Sequence, residues 1–474
     1  LVRLRLLLLL QQTIRRYRES RFRFIVLALG ESVLPVEFIP AKTKARNTIR
    51  LTWRINVRKA AIFLLSIALS IEFTGNAVAH EDAETLVEPH ENSGARLFTA
   101  DAANGDIIAV NLPEGKVIAR LSTPPYIIYL ALGKNKKNLY AMRGTGRDRD
   151  WVTVIDTGFT EHSDEVKPPY IARSFVGNVP DGVQHGHTAS VRGKDAIIME
   201  GDGELIIFDK AEFSGFGEVS VRRFPLASVD HYAFVDAGDY LYIGYLGRGM
   251  VQVLDSDTGN EVTRITGCPI LHGKTKDPTS GRVFFGCQRH AIAIGTKGDE
   301  AHKVVARIEY PDEQRVGNFH NGKDQVIWGY TEDGVPKIHR LDAGKEPYRF
   351  DVLPIERSIR QGTSEDGEYL FVLTFAGVFE IRDGGTGELL HSMQVSEPFP
   401  PDLKEKVDRA VNPDIKTWGD HVYVSLPHEG RILDVDLATG TIYRYLDTDG
   451  EPTRLIIVSG EHEKHGEQDH ENET

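Results

Sequence analysis

Apolar residues along this chain come in short runs, each closed by Asp, Thr, Ser or Gly, and the rhythm holds from about Leu97 to Val458. The clearest copies are hairpins in which an apolar strand reaches an Asp, crosses a few small polar residues and a Gly, and enters a second strand. One runs Val251-Gln252-Val253-Leu254-Asp255 through Thr258-Gly259 to Val262. Another runs Val378-Phe379-Glu380-Ile381 through Asp383, Thr386 and Gly387 to Leu390, and a third Ile432-Leu433-Asp434-Val435-Asp436 through Thr439-Gly440 to Tyr443. Weaker copies turn at Gly115, Gly298 and Gly344. Glycine supplies the positive φ that tight turns need, and Asp or Thr satisfies local amides. No long stretch repeats at the 3.6-residue period of an amphipathic helix. The short segment Asp402 to Arg409 behind Pro400-Pro401 reads as a capped helix between two repeats. The pattern predicts an all-β protein.

Repeats of roughly 40–50 residues holding four short strands predict a β-propeller. The units begin near Tyr126, His187, His231, His272, His320, Gln361 and Asn412. An eighth joins Leu97 to Leu121 with the C-terminal strand Leu455 to Val458, pairing the two ends of the chain and leaving no open sheet edge. The expected architecture is eight four-stranded blades, or seven if one weak unit is an insertion; a sandwich or a β-helix competes with both. The blades lack the Gly-His and Trp-Asp pair of WD40 repeats, and their hairpin consensus is similar to bacterial YVTN and quinoprotein-type propellers.

The N-terminal part follows a different pattern. Residues 1–53 are Arg-rich with a Leu run and no clear periodicity, and the earliest methionine is Met142; the segment is expected to be untranslated or a disordered leader. Residues 54–79 place Arg54, Arg58 and Lys59 before the apolar run Ala60 to Leu69, with Ala77-Val78-Ala79 after it. That order predicts a signal peptide cleaved after Ala79, hence export to the periplasm. The run is shorter than the ~20 residues of a membrane span, so no membrane insertion is expected after cleavage, an uncleaved anchor being the alternative. Residues 1–79 carry 14 Lys and Arg against 4 Asp and Glu, so the chain's formal charge of −13 becomes −23 for residues 80–474. So acidic a protein is a poor partner for nucleic acid and attracts cations. Export also makes a disulfide the default reading of the only two cysteines, Cys268 and Cys287, with a metal-binding pair as the alternative.

The candidate chemistry lies in recurring histidines. His187, His231, His272 and His320 fall at steps of 44, 41 and 48 residues, each close before a short apolar strand. In a propeller the first strand of each blade lines the channel, so four imidazoles are expected to converge on one mouth. Crowded imidazolium groups repel, so such a group calls for neutral rings or for a cation between them. Neutral imidazole is the usual zinc ligand. A hydrogen-bonded channel and a small-molecule pocket are the other readings. His185 in Gln184-His185-Gly186-His187 is a second donor, Glu200 a carboxylate ligand or orienter, and Asp230 a further one. Copper would bind nitrogen donors more tightly, but a Cu(I) carrier is expected to offer Met or thiolate, and there are four Met in the chain. The flanks are His- and acid-rich: residues 80–93 hold His80 and His90, and residues 461–474 hold His462, His465 and His470. Both are expected to be disordered, flexible metal-loading segments around a propeller at 94–460.

The exported acidic propeller, the segment Val183 to Thr188, the channel histidines and the His-rich ends together resemble the AztD-type periplasmic zinc metallochaperones of bacteria. The resemblance spans about residues 80–460 and implies an eight-bladed propeller that binds Zn²⁺ and passes it to the solute-binding protein of a zinc ABC transporter. It carries the zinc role to His187, His231, His272 and His320 as the matching positions. A monomer without catalytic turnover is expected. The competing classes are an exported propeller enzyme, lactonase- or quinoprotein-like, and a metal-free interaction scaffold. A lactonase is expected to offer oxygen donors to Ca²⁺, which a histidine ring does not.

Overall fold

The computed structural model describes residues 94–125, 127–143, 151–159, 167–176, 186–213, 219–331, 336–355, 357–399 and 411–459, with the backbone alone at 128 and 186–189. The expected leader, signal peptide, short helix and His-rich flanks, with His80, His90, His185, His462, His465 and His470, lie outside these residues.

Eight four-stranded antiparallel sheets follow one another as the blades of a β-propeller. Their inner strands are Ile127–Leu132, Gly186–Val191, Tyr232–Asp236, Lys274–Lys276, Val316–Asn321, Ser358–Thr363, Ile415–Trp418 and Pro452–Val458, and they define blades 1 to 8 in that order. Blades 1 to 7 each use four consecutive strands. Blade 8 is composite: Pro452–Val458 pairs antiparallel with Arg96–Asp101, with Phe98 opposite Ile456 and Arg96 opposite Val458. The predicted closure by the two ends of the chain is therefore present, and the count is eight.

Position within a blade explains the hydrophobic pattern. Middle strands face a neighbouring blade on both sides, so they read as continuous apolar runs; His421–Leu426 and Arg96–Asp101 are buried throughout. Outer strands alternate, as in Leu389–Gln394, whose every second residue is exposed. Among the described residues the core divides into eight apolar clusters, one between each pair of adjacent blades. Phe371, Leu373, Val422 and Val424 join blades 6 and 7. Phe98, Ile127, Leu139 and Val458 join blade 8 to blade 1 and complete the ring.

The repeated turn has one geometry. Asp255 Oδ1 accepts hydrogen bonds from the Thr258 amide and hydroxyl, both at 2.8 Å. Asp383 with Thr386 and Asp436 with Thr439 repeat it. The glycine that follows has positive φ, and a side chain there would strike the preceding blade. A Cβ on Gly259 would lie 2.5 Å from the ring of Phe224, and one on Gly440 2.3 Å from His391. The Asp-x-x-Thr-Gly signature thus both turns the chain and seats one blade on the next.

Candidate metal centre at the channel mouth

The loops entering the inner strands of blades 3 and 4 converge. Asp230 ends the loop before the inner strand of blade 3 and fixes it: Oδ1 accepts from the amides of His231 at 2.8 Å and Gly247 at 2.9 Å, and Oδ2 from that of Arg248 at 3.1 Å. Its carboxylate thus holds the backbone of the His231 loop in place. The equivalent loop of blade 4 is fixed by other means. A disulfide joins Cys268 to Cys287, as the export argument predicted, and Leu271 is buried against Gly244, where a Cβ would lie 2.3 Å from the leucine Cδ2. The amide of His272 donates to the Gly286 carbonyl at 3.0 Å. Gly286 itself has no room for a side chain, since a Cβ would meet the Val316 carbonyl oxygen at 2.2 Å; that approach brings blade 5 backbone against the His272 loop.

These anchors bring the Nε2 edges of two imidazoles together. The Nε2 atoms of His231 and His272 are 3.0 Å apart, with ring planes 21° from parallel. Each ring's other nitrogen meets an oxygen acceptor. His272 Nδ1 donates to the Gly317 carbonyl at 2.7 Å. His231 Nδ1 lies 2.8 Å from Oε1 of Glu200, a fully buried carboxylate that also accepts the Tyr232 amide at 3.1 Å. With its proton on Nδ1, His272 offers Nε2 as an acceptor; His231 Nε2 either donates to it or, when the His231 proton is on Nδ1 instead, points a lone pair at it. The latter arrangement is unfavourable unless a proton or a metal cation sits between the two nitrogens. Two nitrogens bound at 2.0–2.1 Å to a tetrahedral zinc are separated by about 3.3 Å, a few tenths of an ångström beyond the observed distance. An imidazole whose far N–H is held by a carboxylate or carbonyl is the usual state of a metal-ligating histidine. The other well-buried histidines are engaged differently: His339 Nε2 lies 3.2 Å from Asp312, and His421 Nδ1 2.6 Å from Asp434, which pushes that imidazole's pKa up.

Of the remaining candidates, His185 and the side chain of His187 lie outside the described residues. His187 is the second residue of the inner strand of blade 2, its backbone paired with Ile198, two residues before Glu200. His320 is the fifth residue of its strand, paired with Trp328 beside the turn. It lies three residues past Gly317, whose carbonyl meets His272; at about 3.3 Å per residue that is ~10 Å further along the channel. The expectation of four equivalent positions at one mouth is corrected on this point, because the inner strand of blade 5 begins before its histidine rather than after it. Burial and the nearby Arg360 and Lys416 charges push the His320 pKa down to about 4, so its ring is neutral at pH 7. Among the described residues, no three His, Cys, Asp or Glu side chains form a metal-holding group. The Gly317 carbonyl is a feature that sequence reading missed, since any residue supplies one.

The disulfide tethers the loop that carries His272 and closes a 19-residue separation. Replacing both cysteines by alanine is expected to cost about 3 kcal/mol through regained entropy of the unfolded chain. A denaturant midpoint unchanged from the parent protein would contradict this.

No protein-family model matches the chain. In sequence it is similar to the zinc chaperone AztD of Citrobacter koseri, 22% identical over 428 residues that cover 86% of this chain and 96% of that one. A solved structure of apo AztD from Citrobacter koseri aligns with TM-score 0.62 at 19% identity, covering 78% of this chain and 99% of that chain. The dihydro-heme d1 dehydrogenase NirN in complex with DHE aligns with TM-score 0.56 at 14% identity, covering 76% of this chain and 74% of that chain. At these identities the structural likeness concerns the fold, which an enzyme and a chaperone share.

Proposed function

We propose that this protein is a periplasmic zinc chaperone that holds Zn²⁺ at the channel mouth between blades 2, 3 and 4 and passes it to the solute-binding protein of a zinc ABC transporter. The observation that carries the reading is the pair of imidazoles whose Nε2 atoms stand 3.0 Å apart while each Nδ1 faces an oxygen acceptor. His231 and His272 supply two donors, Glu200 and the Gly317 carbonyl orient them, and His187 is the proposed third donor, with His185 as the residue that exchanges with it. His320 is left out of the ligand set because of its place along blade 5.

Zinc is the metal because neutral imidazoles with an orienting carboxylate suit it and the chain offers few of the soft sulfur donors that favour Cu(I). The similarity to AztD of Citrobacter koseri, a zinc chaperone, supports the same assignment. Transfer needs stepwise ligand exchange, and His231, with 20% of its side chain exposed, is reachable from outside. The segments with His80, His90, His462, His465 and His470 would load zinc loosely and feed the mouth. Cleavage after Ala79 would deliver the chain to the compartment where a disulfide persists.

The test is zinc binding by residues 80–474 and by a version without residues 80–93 and 461–474, measured by elemental analysis and chelator competition. One tightly held equivalent in the trimmed protein is expected. Zinc found in the longer version alone would move the site to the flanks and end this reading.

A further inference from the structure

The carbonyl that meets His272 comes from an irregularity in blade 5, and the zinc proposal takes its position as given. Along the inner strand of that blade, Val316 and Asn318 pair with the successive residues Thr331 and Tyr330, so Gly317 between them has no counterpart in the register. That is a β-bulge, one residue more than the facing strand. Carbonyls alternate in direction along a strand, and an inserted residue resets the alternation. Here the reset places the Gly317 oxygen 2.7 Å from Nδ1 of His272, across the seam between blades 4 and 5. Blade 6 has a similar shift between Ser358 and Arg360, but the residue there, Ile359, packs into the core between blades 6 and 7. Gly317 has no side chain to pack, and what it presents is its carbonyl.

Blade 4 is shaped to receive the bulge. Its inner strand, Lys274–Lys276, is the shortest of the inner strands, and Gly273 stands immediately before it, next to His272. A Cβ on Gly273 would lie 2.9 Å from the Val316 carbonyl oxygen and 3.2 Å from both the Asn318 amide nitrogen and the Gly317 carbonyl carbon. All three atoms are backbone, which cannot swing aside as a side chain can. Gly273 is not among the glycines of positive φ, so the close approach, not the turn, is what calls for glycine. On the far side of the bulge, a Cβ on Gly329 in the second strand of blade 5 would lie 2.7 Å from Val316 Cγ1. Side chains lace the seam on either side of this fit. Arg315 donates to the Ile270 carbonyl at 3.3 Å, Thr275 donates to Asn321 at 2.8 Å, and Asn321 donates to the Lys276 carbonyl at 3.1 Å.

We propose that Gly273 is a positioning residue for the metal centre: by admitting the Gly317 bulge it fixes the Nδ1–H tautomer of His272 and so presents the Nε2 lone pair to the metal. The proposal rests on the zinc reading for its purpose, while the tautomer it names belongs to the metal-free protein. Which ring nitrogen of a histidine binds metal is set by the hydrogen bond the other makes. Withdrawing the Gly317 oxygen removes that bias, and a ring protonated at Nε2 cannot ligate through that atom until the proton leaves.

The test uses the full-length, metal-free protein carrying isotopically labelled histidine. Long-range nitrogen–proton spectra at about pH 8, above the ordinary imidazole range, report which ring nitrogen bears the proton. The His272 signals are those absent from His272→Gln. Nδ1–H is expected in the parent protein. Gly273→Ala is expected to shift His272 towards Nε2–H and to weaken zinc binding by about tenfold or more, as for loss of a partner that orients a metal-bound imidazole. Gly329→Ala presses on the bulge through the Val316 side chain and should act in the same direction to a smaller extent. Should Gly273→Ala fail to fold, Gly329→Ala carries the test. An Nε2–H ring in the parent protein would overturn the proposal. So would weakened zinc binding with the tautomer unchanged, since the loss would then be structural. A parent protein that binds no zinc, yet holds Nδ1–H and loses it in the variants, would end the zinc reading and uphold the hold of the bulge on His272.

Discussion

Replacing His231 or His272 by alanine should lower zinc affinity by about 100-fold or more, with the propeller still folded. Each substitution removes one of the two nitrogens that now face each other at 3.0 Å and leaves the other with a single near donor. Glu200→Gln should fall in between, at about 10–100-fold, the range for losing a partner that orients a metal-bound imidazole. Its amide can still accept from the Tyr232 amide but no longer offers a charged acceptor to His231 Nδ1. His320→Ala should leave zinc affinity where it was, because that ring stands about 10 Å further along the channel. Chelator competition on the four variants yields a graded series. Equal zinc affinity in His231→Ala and the parent protein would remove the site, whereas a large loss in His320→Ala would restore the four-histidine ring expected from spacing.

His320 also shows where the sequence misleads. Steps of 44, 41 and 48 residues suggest equivalent positions, but blade lengths vary and spacing alone cannot tell one end of an inner strand from the other. The distance to the next turn can. Gly238 follows His231 by seven residues, while the turn at Gly322 follows His320 by two. Read that way, His320 belongs at the turn end of its strand, as the structure shows. The fold was more legible, because its signal is repeated: Asp-x-x-Thr-Gly turns and apolar middle strands recur around the ring. Closure by the two termini could be read because Leu97–Leu121 supplies three strands and lacks a fourth. The bulge of blade 5 was not legible at all. A register shift has no fixed residue signature, and only the pairing of Val316 and Asn318 with successive residues of the next strand reveals it. Glu200 was legible from its place at the end of a strand, but its role beside His231 depends on how blades 2 and 3 abut.

A chain ending at Glu451 is expected not to form the native propeller, whereas one ending at Gly460 should fold as the parent does. The seven residues Pro452–Val458 are the inner strand of blade 8, and their loss uncovers the ladder edge of Arg96–Asp101, a strand with no exposed residue. Leu455 and Val458 are buried, and Ile456 and Ile457 pack on the clusters at the two faces of blade 8. At about 1.5–3 kcal/mol per buried aliphatic side chain, the lost burial rivals the 5–15 kcal/mol stability of an ordinary domain. Polar terms act in the same direction. Asp414 loses the Leu455 amide, so a buried carboxylate is left to Arg360. Thr453 no longer donates to the Asn412 carbonyl at 2.7 Å. The blade 7 to blade 8 and blade 8 to blade 1 contacts fail together because one strand serves both. Circular dichroism and thermal melting of the two truncated chains measure this directly. A cooperative melt at the parental temperature for the chain ending at Glu451 would mean that the ring does not depend on its terminal strand, and closure would then have to reside in the blade interfaces alone.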